Sequence, residues 1–391
     1  MIGLQAARFD RCRRLALTLT VAVAAAAGFA AAAQAQVTVG ASLSLTGPGS
    51  ALGIPMKQGL ELWPAEIAGQ KINLIILDDA SDPSAATRNA RKFSTENKAD
   101  LLLGSNLTPS GMAVSNVAQE TQTPHMAFAP IPLAPGKSAF SFVVPQSVSL
   151  MAKATAKDML TRKIRKLGFI GFSDPWGEQW LAALTKELEG SDVKIVANEK
   201  YGRSDTSVTG QVLKLISAQP DAIFIAGSGT GAALPQTALA ERNYKGQVYQ
   251  SHGAGSKDFL RIAGKAAEGA LLPIGPVLLP KQLPSDHPSK KVVNDFSQAF
   301  FGKYGPDAGI VFGAHAFDAT AILSAALPAA IAKAKPGTPE FRLALRDAIE
   351  ASKNVAGTNG VYNFSKEDHY GLDERGAIMV KVVNGDWQLV K

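Results

Sequence analysis

From Val37 onward the chain alternates short, nearly unbroken apolar runs with longer segments of helical period. The runs VTVGASLSL, INLIILD, DLLLG and HMAFA are separated by a helix expected from about Met56 to Ile67, by DPSAATRNARKFSTEN and by SGMAVSNVAQET. A strand that is apolar at almost every position needs cover on both faces. Helices between consecutive strands supply it, so the pattern specifies an α/β fold with parallel sheets. Asp82 before Pro83, and Ser110 after Pro109, are expected to cap two of these helices.

A second series starts near Lys166: KLGFIGF, a helix from Trp176, VKIVANEKY, a helix from about Thr206 to Ala218, DAIFIAG, a helix from about Gly231 to Arg242, then QVYQS. One domain rarely holds so many βα units, so two Rossmann-like lobes are expected. AFSFVVPQS, bounded by proline and followed by a new helix near Ser149, is the expected crossing between them. Three late helical segments, from KKVVNDFSQAFFGKYG to FRLALRDAIEASK, need a sheet to cover, and the first lobe is the expected host. The lobes are expected to comprise residues 36–144 plus 277–358 and residues 145–276 plus 359–391.

Ahead of this pattern, Arg8, Arg11, Arg13 and Arg14 precede an Ala-rich apolar run from Leu15 that ends in Ala33-Gln34-Ala35. Basic residues, an apolar stretch and an A-x-A site predict a secretory signal cleaved after Ala35, and hence a periplasmic location. Removing it leaves 36 basic and 32 acidic residues. With no Lys/Arg cluster interleaved with aromatics, nucleic acid is not an expected partner. The sole cysteine, Cys12, lies within the signal, so thiol catalysis and cysteine metal sites are excluded from the mature chain.

Candidate chemistry sits at strand ends, where open α/β sheets bind ligands. GSNLTPSGMA (104–113) follows DLLLG and opens a helix. Thr108 and Ser110, with the free N–H groups of that helix, form an anion cradle, or else they merely cap it. Gly227, Gly229 and Ala232 imitate a dinucleotide fingerprint, but the acidic ribose ligand is missing: the next strand ends YQSHG. Trp176 in FSDPWGEQW is placed either to pack or to stack on a ligand. His252, after VYQS, is the better ligand contact among five histidines, whereas His125 reads as core. No H-E-x-x-H pair and no G-x-S-x-G elbow occurs, so binding is expected rather than catalysis, with no cofactor.

Taken together, LSLTGPGSALG, LDDASDP, GSNLTPSG, the strand followed by DPWGE, DTSVTGQVLKLISAQPDAIFIAG and RIAGKAAEGALLPIGPV resemble the Leu/Ile/Val-binding type of periplasmic binding protein. The resemblance covers nearly the whole mature chain. It implies a type I architecture, two lobes joined by three hinge crossings, in a monomer that delivers a small molecule to the permease of an ABC importer. It implies that the ligand carboxylate sits at the position of Thr108, with Ser110 behind it. It also matches a second-lobe aromatic to Trp176 and a further tyrosine to Ser228.

Two departures bear on the ligand. Amino-acid binders of the family carry an acidic residue, which pairs with the ligand ammonium, where this chain has His252. Their SP-x-x-T turn is replaced by Ala127, Phe128, Ala129, Pro130 and Ile131. A buried ammonium without a carboxylate partner costs several kcal/mol. The expected ligand is therefore a carboxylate without an α-amino group, such as an aromatic acid, lying against Phe128, Ala129, Trp176, Ser228 and Phe312. Phe128 and Phe312 as ordinary core, a branched-chain amino acid as ligand, and a sensor domain of the same fold are the alternatives.

Overall fold

The computed structural model describes residues 36–390 apart from Pro135 and Lys137. The expected signal segment and its cleavage after Ala35 lie outside the described residues. The first series forms β1 (Gln36–Leu43), α1 (Ser50–Leu60), β2 (Glu66–Ile67), β3 (Gln70–Asp78), α2 (Pro83–Thr95), β4 (Leu101–Gly104), α3 (Thr108–Thr121), β5 (His125–Ala127) and β6 (Ser141–Val143). Its sheet runs β2-β3-β1-β4-β5-β6, parallel throughout except for β2.

The second series forms α4 (Val148–Thr161), β7 (Lys166–Phe172), α5 (Pro175–Glu187), β8 (Lys194–Tyr201), α6 (Thr209–Ser217), β9 (Ala222–Ala226), α7 (Ala233–Glu241), β10 (Gln247–Gln250), α8 (Lys257–Ala263) and β11 (Leu271–Ile274). Then follow α9 (Lys290–Tyr304), α10 (Ile310–Ile331), α11 (Pro339–Glu350), the ribbon β12 (Val355–Ala356) and β13 (Val361–Tyr362), and the strands β14 (Ile378–Val383) and β15 (Asp386–Leu389). The second sheet runs β15-β14-β11-β10-β9-β7-β8; it is parallel from β8 to β11, and β14 and β15 close its far edge antiparallel. The fold is thus a two-lobe α/β architecture whose sheets are mixed at their edges.

Two sequence expectations are corrected. The helix expected over Met56–Ile67 begins six residues earlier, at Ser50, and stops at Leu60. Pro64 biases the chain before it away from helix, and Glu66–Ile67 is released to pair with β3. Asp82 caps α2 through Ala85 N, but Ser110 caps nothing. The cap position of α3 is Leu107, whose side chain cannot accept a hydrogen bond.

α10 packs against α1: a Cβ on Gly59 would stand 2.1 Å from the Gly313 carbonyl oxygen, so only glycine permits the approach. Trp63 Nε1 donates to Ala316 O across the same interface. α10 is long and apolar enough to cross a membrane, yet most of it is buried inside the protein.

The chain passes between the sheets after β6, after β11 and between β13 and β14, and the three passages meet. Gln146 Nε2, in the first, donates to Gly376 O, in the third, at 3.0 Å and to Asn359 Oδ1, in the turn between β12 and β13, at 3.3 Å. Gly275, in the second, touches both: a Cβ there would lie 2.5 Å from Gln146 Nε2 and 2.6 Å from Asn359 Oδ1. Asp318 of α10, fully buried, anchors the knot by accepting from Thr358 N and Oγ1, from Asn359 N and Nδ2, and from Tyr362 Oη.

Candidate functional site

Between the lobes lies a narrow cavity lined by residues of both. The first lobe supplies its floor through a rigid base. Asp79, fully buried, accepts the hydroxyls of Ser42, Ser44 and Ser105 at 3.1, 2.7 and 2.6 Å, tying together the carboxyl ends of β1, β3 and β4. Asn106 then accepts from Ser44 N and donates to Gly49 O, which fixes the loop that enters α3. A helix start leaves backbone donors unmatched, and α3 has no side chain capping its own. The Thr108 hydroxyl, at the first helical position, donates instead to Pro130 O at 3.0 Å.

The second lobe treats the same problem differently. Asp174 caps α5, accepting from Trp176 N at 2.9 Å and Gly177 N at 3.4 Å. Its other oxygen takes Arg203 Nε at 2.6 Å, while Arg203 Nη1 donates to Ser228 Oγ at 3.0 Å and the guanidinium lies over the Phe172 ring. Arg203 and Ser228 also border an outer groove that includes Pro48 and Ile262, so this hydrogen-bonded pair partitions the two spaces.

Of the residues singled out in the sequence, Thr108, Phe128, Ala129, Trp176, Ser228, His252 and Phe312 line the cavity. Ser110 does not. Two residues apart on an α-helix means about 200° of rotation, so with Thr108 toward the cavity Ser110 points away, buried and without a hydrogen-bond partner among the described residues. Trp176 serves both readings offered for it: Nε1 donates to Gly227 O at 3.2 Å, and the indole still lines the space. His125 is core, its ring held between Ser141 Oγ and Gly104 O.

The sequence reading passed over Arg203 and His315, both on the lining. Arg203 lies two residues beyond the end of β8, so the strand-end argument already used for His252 would have found it. His315 lies one turn after Phe312, with the rings 6.2 Å apart. The i, i+3 rule applied to Phe312 reaches it. His252 and His315 are almost entirely buried, and none of their four ring nitrogens has a hydrogen-bond partner among the described residues. Burial pushes both imidazoles down to about 3, His252 further lowered by the proximity of His315, so both are neutral. Arg203 is then the one ionised side chain on the lining, no Asp or Glu being present among the described residues there.

Comparison with known proteins gives a consistent picture. The family description "Periplasmic binding protein" matches residues 36–386. Leu/Ile/Val-binding protein homolog 2 of Brucella abortus is 23% identical over 248 residues, which span 59% of this chain and 65% of that protein's length. An extracellular ligand-binding receptor from Rhodopseudomonas palustris HaA2 is 48% identical, with a TM-score of 0.90, over 91% of this chain and all of that one. A more distant solute binding protein of an ABC transporter from R. palustris, solved in complex with benzoate, shares the fold at 19% identity and a TM-score of 0.73, over 91% of this chain and 95% of its own.

Proposed function

The chain belongs to the periplasmic binding proteins, and from that premise we propose that it captures a small carboxylate without an α-amino group, foremost an aromatic acid, and delivers it as a monomer to the permease of an ABC importer. The observation that carries this reading is the charge pattern of the cavity: an uncapped helix start on one side, aromatic walls, two neutral imidazoles and no carboxylate. An α-ammonium enclosed there would have neutral acceptors but no counter-charge, at a cost of several kcal/mol. A carboxylate meets the opposite situation at α3, where backbone donors and the helix dipole favour an anion and the Thr108 hydroxyl turns to it from Pro130. Arg203 is a weaker rival for that role, because Asp174 already neutralises it.

The units that close on the ligand are residues 36–144 with 277–358 and residues 145–276 with 359–391. Thr108 belongs to one, Trp176 and His252 to the other, so only a ligand touching both favours the closed form. A branched-chain amino acid is the second reading, favoured by Leu52 and Met56 on the lining. A thermal-shift and calorimetric series decides between them. Benzoate-like acids raise the melting temperature and leucine does not, since ligand at a hundred times its Kd adds about 2.7 kcal/mol; tight binding of leucine with no response to aromatic acids overturns the proposal.

A further inference from the structure

His252 follows β10 in one lobe and His315 sits on α10 against the other, yet both border the same cavity. A neutral imidazole carries one N–H donor and one bare acceptor nitrogen. The pair therefore presents two donors and two acceptors on the cavity lining, and neither ring uses any of them within the protein, whereas Arg203, Ser228 and Thr108 on the same lining are engaged by protein partners. Buried polar atoms are satisfied in the great majority of cases, so unsatisfied ones on residues that border a binding cavity mark the chemistry of what fills it.

We infer that the two histidines form a subsite for a neutral hydroxyl group at the end of the ligand remote from its carboxylate. The inference rests on the aromatic-acid reading of the cavity and specifies it further, to a hydroxylated aromatic acid. The alternatives fit the pair less well. A second carboxylate only accepts, which leaves both bare nitrogens unmet; an ammonium only donates, and brings a charge with no partner on the lining. An apolar end leaves all four positions empty. A hydroxyl gives its proton to one ring and accepts from the other. The surroundings suit the ring that bears it: Trp176 stands 5.1 Å from the His252 ring, and Phe312 stands 6.2 Å from His315. Because the two imidazoles come from opposite lobes, a hydroxyl bridging them also favours closure.

The test is calorimetry on the mature chain with 4-hydroxybenzoate, benzoate and 4-methylbenzoate, the methyl group filling the volume of the hydroxyl without its hydrogen bonds. Sites built around a substrate hydroxyl discriminate strongly against analogues lacking it, so 4-hydroxybenzoate should bind at least roughly tenfold more tightly than either analogue. His315→Phe and His252→Phe should abolish that preference, read as the ratio of 4-hydroxybenzoate to benzoate affinity within each variant, and His315→Gln, which restores a donor and an acceptor, should recover part of it. Equal affinities for 4-hydroxybenzoate and 4-methylbenzoate in the wild type overturn the subsite but leave the carboxylate reading standing. A preference that survives both Phe variants overturns the assignment to these histidines. Absence of binding by all three acids removes the underlying reading and this one with it. If a Phe variant fails to melt cooperatively, the wild-type series alone still decides.

Discussion

Two helices begin at the cavity, one from each lobe, and they are finished in opposite ways. α5 starts with Asp174, which satisfies its amides and is itself paired with Arg203. α3 starts with Leu107, and the nearby Thr108 hydroxyl is engaged elsewhere. Asp and Asn are among the best N-caps and leucine among the poorest, so α3 gives up roughly 1 kcal/mol of local stability that α5 retains. On the proposed function, a helix start left open beside the cavity is a place where stability is exchanged for affinity, and the closed one shows what the fold does when no anion is to be received.

The comparison can be broken outright by making the two alike. Leu107→Asp gives α3 a carboxylate of its own, and like-charge juxtaposition should weaken binding of an aromatic acid by roughly 3 kcal/mol or more, measured by calorimetry alongside a melting curve showing that the variant folds. Unchanged affinity would mean that the anion does not rest at α3.

Acid probes the buried imidazoles, two of them on the cavity and one in the first-lobe core. His125, His252 and His315 are pushed from 6.5 to about 4, 3 and 3, chiefly by burial. The unfolded chain thus binds protons below pH 6.5 that the folded chain refuses, and the stability from these groups is complete above pH 6.5 and lost as pH falls toward 4 and 3. Between pH 7 and 5.5 each should cost about 1 kcal/mol. Asp100, raised to about 6 by burial, works the other way: its protonated form is favoured on folding, so it returns under about 1 kcal/mol over the same interval. Denaturant titrations at the two pH values should show a net loss of about 2 kcal/mol; a flat profile would contradict neutral burial.

At the closed helix, Asp174→Ala removes a cap and strands Arg203, whose side chain is only 17% exposed. Stability should fall by about 2 kcal/mol, read from the shift in denaturation midpoint, with a smaller effect on affinity. The mirror-image result, little change in stability and a collapse of binding, would transfer the anion site to the second lobe. At the open helix, Thr108→Ala should do the reverse of Asp174→Ala, with affinity reduced by about 1–2 kcal/mol and little lost in stability.

Which parts of this were legible in the sequence follows from what each inference depended on. Alternation of apolar runs with helical segments is a local property, and it specified both lobes. Thr108, Trp176 and His252 were reachable because strand ends in α/β folds converge on one crevice, and Ser228 through the family resemblance alone. Ser110 lies off the cavity because the helix begins at Thr108, so the residue after Pro109 is already inside the helix rather than at its cap. His315 is harder: it reaches the cavity from the middle of a helix that is nearly all apolar, and its membership of the site depends on how α10 lies against α1. The pairing of β14 with β11 joins residues more than a hundred positions apart and leaves no local mark.

The meeting of Gln146, Gly275 and Asn359 has a mechanical meaning. On the closure proposed above, three strands of backbone held together at one small knot would leave the lobes a single easy coordinate, rotation about that point. Motion on one coordinate is a lever: a contact of a few ångströms beside the cavity becomes a larger displacement at the rims farthest from the knot. On the proposed function, a permease touching only those rims would tell a loaded protein from an empty one by the spacing between two surfaces, without meeting the cargo. Gly275 is the pivot's clearance, and any side chain there would jam the axle before it touched the binding site.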